Sequence, residues 1–591
     1  MTEPVLTSLI IFILLGVLIA GRWRYDGVVL VALAVMVLFG LVPAKEAFTG
    51  FGHPAVITVA LVLLISKALE KSGFINMIGD LLQRYLEKES HFILVLMTTA
   101  AFLSSFMNNI GAMAMLLPIT IGIAQKREWN PSKFLMPLAF ASILGGMNTK
   151  IGTPPNIIIS EIKGTMDSSS GFFFFDYTLV GLPVSLVGIL FIFFFSTYLV
   201  RLREGEGKTK PLVDIQDYLI EMTINEESPL VGKRIHELSS NLGPDNVFLG
   251  VVSDKGVIRK PHNFEVFEAL QIVVMKISPD DAAKIQTEFG LSIDPDLDQV
   301  IDEGELGEIE AMITPRSRLI GRKYNYFKRM ASGDLFLLGL WRQGSKLRKR
   351  LAREIFKAGD VLLLSSKGSS NDRAAEKLEL LGLMPLWQRE LDVIRDTSKV
   401  YLAIGIFVLC LSAVILNILD IIVAFLLCVI AFSATRLLTG EGIYRHVDWP
   451  VVVMLGAMIP IGEALSSSGV TSIVANEISQ LFEGMHVVWL LGSILIVTML
   501  VSDLVNNAAT AVIMAPLALS VAEQSNLPHD PFLMIVAIGA SCAFLSPIGH
   551  QCNTLVMGPG NYRFGDYWRL GLPLEIIITI ICLPLVLLFW F

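Results

Sequence analysis

The chain has 591 residues, 53% of them hydrophobic and 17% charged, with a mean hydropathy of +0.64. A soluble domain carries about 25% charged residues, so the composition excludes an ordinary soluble globular protein and indicates a polytopic membrane protein. The formal charge of -8 says little about partners because much of the charge lies in one central block, and the five cysteines form neither metal-ligand spacing nor a disulfide framework.

Met1-Thr2-Glu3-Pro4 lacks the basic region of a signal peptide, so the first apolar stretch is expected to remain as a span. Spans are predicted near 5–20, 27–42 and 54–70, followed by an amphipathic helix near 73–88. The segment 91–125 folds about Asn108-Asn109. Its arms of about 16 residues give roughly 24 Å of helix, short for a hydrocarbon core of about 30 Å, and so predict a re-entrant hairpin. A broken span (134–160) and a final span (178–200) complete the first half. Residues 204–397 are polar with strand-like alternation. The second half then repeats the order: spans near 399–416, 421–437 and 450–466, an amphipathic helix near 470–483, a hairpin 486–523 about Asn506-Asn507, a broken span 532–558 and a last span 571–591. This divides the chain into a first transmembrane repeat (1–203), two small modules (204–303 and 304–397) and a second transmembrane repeat (398–591).

The halves match at a nearly constant offset. Lys67-Ala68-Leu69-Glu70-Lys71-Ser72-Gly73 pairs with Glu463-Ala464-Leu465-Ser466-Ser467-Ser468-Gly469, and Phe134-Leu135-Met136 with Phe532-Leu533-Met534. Gly152 and Asn156 pair with Gly549 and Asn553; Asp176-Tyr177 through Pro183 pairs with Asp566-Tyr567 through Pro573. Charge sets the relative orientation. Under this topology Arg22, Arg24, Lys71, Arg84, Lys88, Lys126, Arg127, Lys133, Arg201 and Arg203 share one side with Arg436, Arg445, Arg563 and Arg569, while Lys45 and Lys163 are exceptions. The basic side is cytoplasmic by the positive-inside rule. The two repeats are therefore expected to be inverted, with both termini extracytoplasmic and residues 204–397 cytoplasmic, in the cell's inner (plasma) membrane.

The central block holds two similar units. Ile220–Ile224, Ser228-Pro229-Leu230-Val231-Gly232-Lys233 and Val247–Val252 reappear as Ile309–Ile313, Ser317-Arg318-Leu319-Ile320-Gly321-Arg322 and Leu335–Leu340. Both resemble the C-terminal domain of RCK proteins, the regulators of potassium conductance. The second unit keeps that family's turn as Ala358-Gly359-Asp360-Val361-Leu362, and the first has Phe267-Glu268-Ala269-Leu270-Gln271 in its place. The resemblance implies regulatory or dimer-forming modules open to an unknown small-molecule regulator.

Four interruptions break the apolar segments: the two Asn-Asn tips, Asn148-Thr149-Lys150-Ile151-Gly152-Thr153-Pro154-Pro155-Asn156, and Ser546-Pro547-Ile548-Gly549-His550-Gln551-Cys552-Asn553. Pro and Gly end a helix and free backbone groups, tolerated at membrane depth only in a cavity or inside protein. Helix N-termini so exposed attract anions, and freed carbonyls with Asn, Ser and Thr oxygens suit a small cation. Inverted repeats with interrupted helices are the architecture of secondary transporters.

At these residues the chain resembles the divalent anion/sodium symporter family of the larger ion transporter superfamily, in its sulfate-permease-like branch, which carries an RCK-like insert between its halves. Gly152-Thr153-Pro154-Pro155-Asn156 fits that family's first broken-helix loop. Asn109 and Asn507 take the central Asn of its Ser-Asn-Thr tips, while Asn108 and Asn506 replace the Ser, and Ile110 and Ala508 the Thr. The fold implied is a polytopic α-helical membrane protein, an inverted-topology repeat with two re-entrant hairpins and two broken helices plus the inserted α+β modules. The mechanism implied is elevator-type symport by a homodimer in membrane lipid, with sodium ions, or protons, as coupling ions. Expected anion-binding residues are Asn108, Asn109, Asn506, Asn507, Thr153, Pro154, His550, Gln551 and Lys150. Expected cation ligands are Asn109, Asn148, Gly152 and Asn156 in the first half, and Asp503, Asn507, Thr510, Ser546, Gly549 and Asn553 in the second.

Sulfate is the favoured substrate, and a C4-dicarboxylate is the alternative. A cation/proton antiporter or RCK-regulated channel stays open on the strength of Asp503 and the modules, as does a transceptor. Lys150 either attracts the anion, stands in for a cation, or pairs at the cavity wall. Asp503 is a cation or proton site or a carboxylate near the outer mouth; His550 is an anion donor or a satisfied loop histidine. Without a Walker sequence or a Ser-His-Asp constellation the chain is not expected to be an enzyme, and no organic cofactor or nucleic-acid partner is expected.

Overall fold

The computed structural model describes residues 3–20, 23–74, 77–78, 88–127, 129–167, 171–200, 219–233, 247–252, 258–259, 266–276, 285–286, 288–292, 306–314, 317–331, 335–342, 354–367, 377–378, 380–388, 397–438, 447, 449–547 and 549–591. Most of the predicted amphipathic helix 73–88, Ile548, the module boundaries near 204 and 304, and Arg22, Arg84, Arg201, Arg203 and Arg445 lie outside the described residues.

The first half forms α1 (Glu3–Ala20), α2 (Tyr25–Leu38), α3 (Pro54–Lys71), α4 (Glu89–Phe106), α5 (Asn109–Lys126), α6 (Leu135–Gly146), α7 (Pro154–Asp167) and α8 (Thr178–Leu199). Among the described residues nine strands follow, with a helix α9 (Tyr324–Ala331) among them. The second half forms α10 (Thr397–Ile415), α11 (Ile421–Ala434), α12 (Trp449–Ser467), α13 (Val470–Leu481), α14 (Val487–Leu504), α15 (Asn507–Gln524), α16 (His529–Ser541), α17 (Gln551–Met557) and α18 (Phe564–Trp590). Among the described residues α4, α8, α10, α12, α14 and α18 are long and apolar enough to cross a membrane. The chain is mostly helical and polytopic.

Several boundaries differ from the sequence pattern: α2 ends at Leu38 rather than 42, and α7 runs on to Asp167 rather than 160. The hairpin arms are 18 residues each, because helix runs up to the Asn pair on both sides. The last helix begins at Phe564 rather than 571: the Arg563 backbone N–H donates to Asp566 Oδ2 at 2.7 Å and caps an earlier first turn.

Packing follows one scheme in both halves. Within a half, α6 packs on α4, α5 and α8, as α16 packs on α14, α15 and α18. Between halves the contacts are exchanged: α2 packs on α12 and α3 on α11, while α7 packs on α15 and α17 on α5. Small residues permit the closest approaches. A Cβ on Gly181 of α8 would strike the Met147 carbonyl oxygen, and one on Gly571 of α18 would strike that of Phe544. Both glycines therefore let a closing helix lie directly on the chain just past the end of α6 or α16.

The strands form one sheet in the order β3-β2-β4-β1-β7-β8-β6-β9, with β5 beside β1. Here β1 is Leu219–Ile224, β2 Val247–Val252, β3 Ile258–Arg259, β4 Ile272–Lys276, β5 Leu291–Ser292, β6 Leu306–Ile313, β7 Leu335–Trp341, β8 Val361–Lys367 and β9 Leu383–Gln388. The antiparallel set β2-β4-β1-β5 has the same pairing as β7-β8-β6-β9. The matching turns agree in detail. Ser228 Oγ and Ser317 Oγ each accept from the backbone N–H two residues on, at 3.2 Å, and donate to the carbonyls of Phe289 and Leu381. Gly232 and Gly321 both take positive φ, 78° and 75°. Asp360 is held by both arms of Arg342, each at 2.7 Å, and that pairing raises the guanidinium above its ordinary range. The sheet meets the helices where β9 packs on α5 and where a Cβ on Gly558 would lie 2.6 Å from the Gly359 carbonyl oxygen.

Candidate functional site

Each Asn-Asn pair divides its labour the same way. Asn108 Oδ1 accepts from Ile110 N–H at 3.0 Å and Asn506 Oδ1 from Ala508 N–H at 2.9 Å, so the first Asn of each pair caps α5 or α15. The second Asn is buried and tied back to the preceding arm: Ser104 Oγ donates to Asn109 Oδ1 at 2.8 Å, and Ser502 Oγ to Asn507 Oδ1 at 3.1 Å. Thr510 Oγ1 donates to the Asn506 carbonyl at 3.2 Å and steadies the second tip.

The breaks after α6 and α16 are built to one plan. Asn156 Nδ2 donates to the Thr149 carbonyl at 2.8 Å, and Asn553 Nδ2 to the Ser546 and Ala543 carbonyls at 3.1 and 2.8 Å. The hydroxyls of Thr149 and Ser546 donate to the carbonyls of Ser105 and Asp503 on the neighbouring hairpin. Tyr177 and Tyr567 donate back to the backbone carbonyls of these same asparagines, Asn156 and Asn553, at 2.7 Å. Asn156 Oδ1 and Asn553 Oδ1 are left bare: both residues are 0% exposed and neither oxygen has a hydrogen-bond donor. Leaving such a group unmet costs about 1–3 kcal/mol, and finding the same orphan at matching positions in both halves marks a pair of equivalent oxygen sites. Gly152 and Gly549 lie in these loops where a Cβ would strike the backbone of Gly146 or Asp503.

The two halves meet at His550. Its Nδ1 accepts from Cys552 N–H at 3.1 Å, capping α17, and its Nε2 lies 3.3 Å from Asn109 Nδ2. With Nδ1 used as an acceptor, a neutral ring carries its proton on Nε2. Two N–H donors from opposite halves then face the same space, at the N-termini of α5 and α17. Thr153 immediately precedes α7 and Pro154 begins it; α7 packs on α15, the corresponding contact of the other pair. Gln551 opens α17, with its Oε1 buried and bare.

Lys150 stands apart from this crossing. Its ammonium is 3.9 Å from Glu161 Oε1 on α7, and its backbone N–H donates to the Phe174 carbonyl at 3.1 Å. Its neighbours Ile151 and Phe174 pack with α3, α10 and α11. Asn148 bridges Ser105 Oγ and Ser185 Oγ at 3.0 and 2.9 Å. Asp503 Oδ1 accepts from Leu545 N–H at 2.9 Å. The supporting residues Ser104, Ser105, Ser502, Tyr177, Tyr567, Ser185 and Glu575 were not expected from the sequence. The matched Asp-Tyr pairs were the available signal, and a Glu inside the last apolar span was another. Among the described residues no three His, Cys, Asp or Glu side chains gather as a metal cluster.

A family model described as citrate transporter matches residues 10–522 and 486–591. An uncharacterized transporter of Synechocystis sp. is 30% identical over 590 residues, covering 98% of this chain and 95% of that one. An uncharacterized transporter of Escherichia coli (strain K12) is 28% identical over 587 residues, 96% of each chain. A Chlamydomonas reinhardtii protein named sodium/sulfate cotransporter 2 is 25% identical over 379 residues, 59% of this chain and 42% of that one. The chain belongs to the citrate transporter family, and is a multi-pass membrane transporter rather than an enzyme.

Proposed function

We propose that the chain is a secondary carrier of a small divalent oxyanion, sulfate first and a C4-dicarboxylate second, coupled to sodium ions and working by an elevator-type movement of inverted repeats. The observation that carries the anion is the meeting of Asn109 and His550, which turns two donors from opposite halves toward one space beside two helix N-termini. The bare oxygens Asn156 Oδ1 and Asn553 Oδ1 support one cation beside each break. The name of the Chlamydomonas relative supports the pairing of sodium with sulfate. The family description brings in citrate as a third anion to test. The protein is read as a homodimer of the inner membrane, its sheet cytoplasmic and serving regulation or dimer contacts.

Uptake of labelled sulfate, succinate and citrate into proteoliposomes, with and without an inward sodium gradient, tests this reading. Sodium-driven sulfate uptake is expected, and His550→Ala should lower it about tenfold, the loss of one hydrogen bond to a charged ligand. Uptake of succinate or citrate alone would replace sulfate as the substrate. Sodium-proton exchange without uptake of any of the three would overturn the carrier reading.

A further inference from the structure

The two halves differ beside the hairpin arms. In the first, Ser105, Asn148 and Ser185 form a closed neutral chain: Asn148 Nδ2 donates to Ser105 Oγ at 3.0 Å, and Ser185 Oγ donates to Asn148 Oδ1 at 2.9 Å. The corresponding residues of the second half follow from shared bonds. Ser104 and Ser502 hold the matching tip asparagines, which aligns Ser105 with Asp503. Thr149 and Ser546 make the same hydroxyl bond to those residues, which aligns Asn148 with Leu545. Tyr177 and Tyr567 make the same bond eight residues before Ser185 and Glu575. Two serines bridged by an amide are thus replaced by two carboxyl groups with a leucine between them.

Asp503 and Glu575 are 4% and 6% exposed and lie within hydrogen-bonding reach of each other. The Leu545 and Phe544 N–H groups, freed by the end of α16, point at the pair. Asp503 Oδ2 and Glu575 Oε1 nevertheless have no N–H or O–H donor. The other titratable group facing the pair is the thiol of Cys542, which itself lies beside that of Cys582, and among the described residues no charged side chain of α8, α15 or α16 acts on it. Two carboxyl groups this close in a buried site repel unless something positive joins them.

We propose that Asp503 and Glu575 form a buried binding site for a single small monovalent cation, a proton or a sodium ion, present in the second half and absent from the first. It deepens the coupling-ion part of the carrier reading and makes the two halves unequal in the cations they take.

The test uses the full-length protein in detergent and reads its melting temperature, which requires no transported substrate. Sodium is titrated against choline at constant ionic strength, and separately pH is varied in sodium-free buffer. The wild type should show a cation-linked shift of about 3 °C that Glu575→Gln removes. If the lost response is to sodium, the ion is sodium; if it is to pH alone, it is a proton. A triple variant, Asp503→Ser with Leu545→Asn and Glu575→Ser, rebuilds the first half's neutral chain and should fold without the response, which guards against a single variant that fails to fold. Equal responses of the wild type and the triple variant to both ions would overturn the proposal while leaving the anion reading untouched. Failed uptake with an intact cation response would do the reverse.

Discussion

An asparagine at the first position of each tip keeps a capping role open to Ser and Asn alike, since both place a side-chain acceptor over the first helical N–H groups. Asn108 and Asn506 show this directly, each with Oδ1 on the N–H two residues ahead. Asn in place of Ser at this position therefore preserves the end of the helix. The second asparagine carries the distinctive geometry, and its position was legible because two carboxamides in an apolar stretch are conspicuous. Its partners were not. Ser105 touches Asn148 across 43 residues, and Asn109 touches His550 across 441; no local pattern records such pairs. Gly571 is a further residue whose role appears only in three dimensions. Gly571→Ala should push α18 off the Phe544 carbonyl and lower stability by about 1–3 kcal/mol, read as a lower melting temperature of the purified protein. Gly565→Ala, where the nearest side-chain atom lies 3.9 Å away, serves as the silent control.

Among the elements, the helix pairs about each Asn-Asn and the breaks after α6 and α16 were legible from Gly, Pro and Asn interrupting apolar runs, although α4 and α14 are longer than the short arms expected and meet the length for a crossing. The start of α18 was missed because Asp566 acts as a cap across three residues, a bond that hydropathy does not weigh. The repeat within the sheet was also legible, yet its first turn looked degenerate. Leu270 occupies the position of Gly359 and still adopts φ 63°, against 84° for the glycine. Gln271 takes the role of Asp360: its Oε1 accepts from Glu268 N–H at 3.3 Å, as Asp360 Oδ2 accepts from Lys357 N–H at 2.8 Å. The conformation thus persists after the motif is lost. A left-handed L-residue costs about 1–2 kcal/mol, and glycine's extra freedom when unfolded returns about 0.5–1 kcal/mol of that. Leu270 is 63% exposed, so Leu270→Gly forfeits little packing. It should stabilise the sheet by roughly 0.5–1 kcal/mol, measurable as slower limited proteolysis of the central block.

Across the whole molecule, internal matching gave the order of elements, but the exchanged contacts between halves depend on the final packing. Lys163 shows the difference. By charge counting it falls on the poorly basic side; in the structure its ammonium is 2.7 Å from Asp530 Oδ2 at the start of α16 and 4.1 Å from the centre of the Phe172 ring. The charge is neutralised by Asp530 of the other half, so Lys163 joins the two halves. Lys163→Glu should lower the melting temperature through repulsion from Asp530, and combining it with Asp530→Lys should restore it. A coupling of about 1 kcal/mol is expected for a pair this exposed, and the double-mutant cycle measures it.

The exchange of α2 onto α12 and of α3 onto α11 also has a consequence for synthesis. The surfaces of the first helices meet their partners only after the central block and the start of the second half have been translated. At about 5–20 residues per second, the interval from the end of α8 to the end of α12 is roughly 10–50 s. Throughout it the α2–α12 and α3–α11 contacts of the nascent chain remain unmade. Assembly of this molecule is therefore a post-insertion event, and a chain stalled within residues 204–397 leaves an integrated but unpaired half for quality control to recognise.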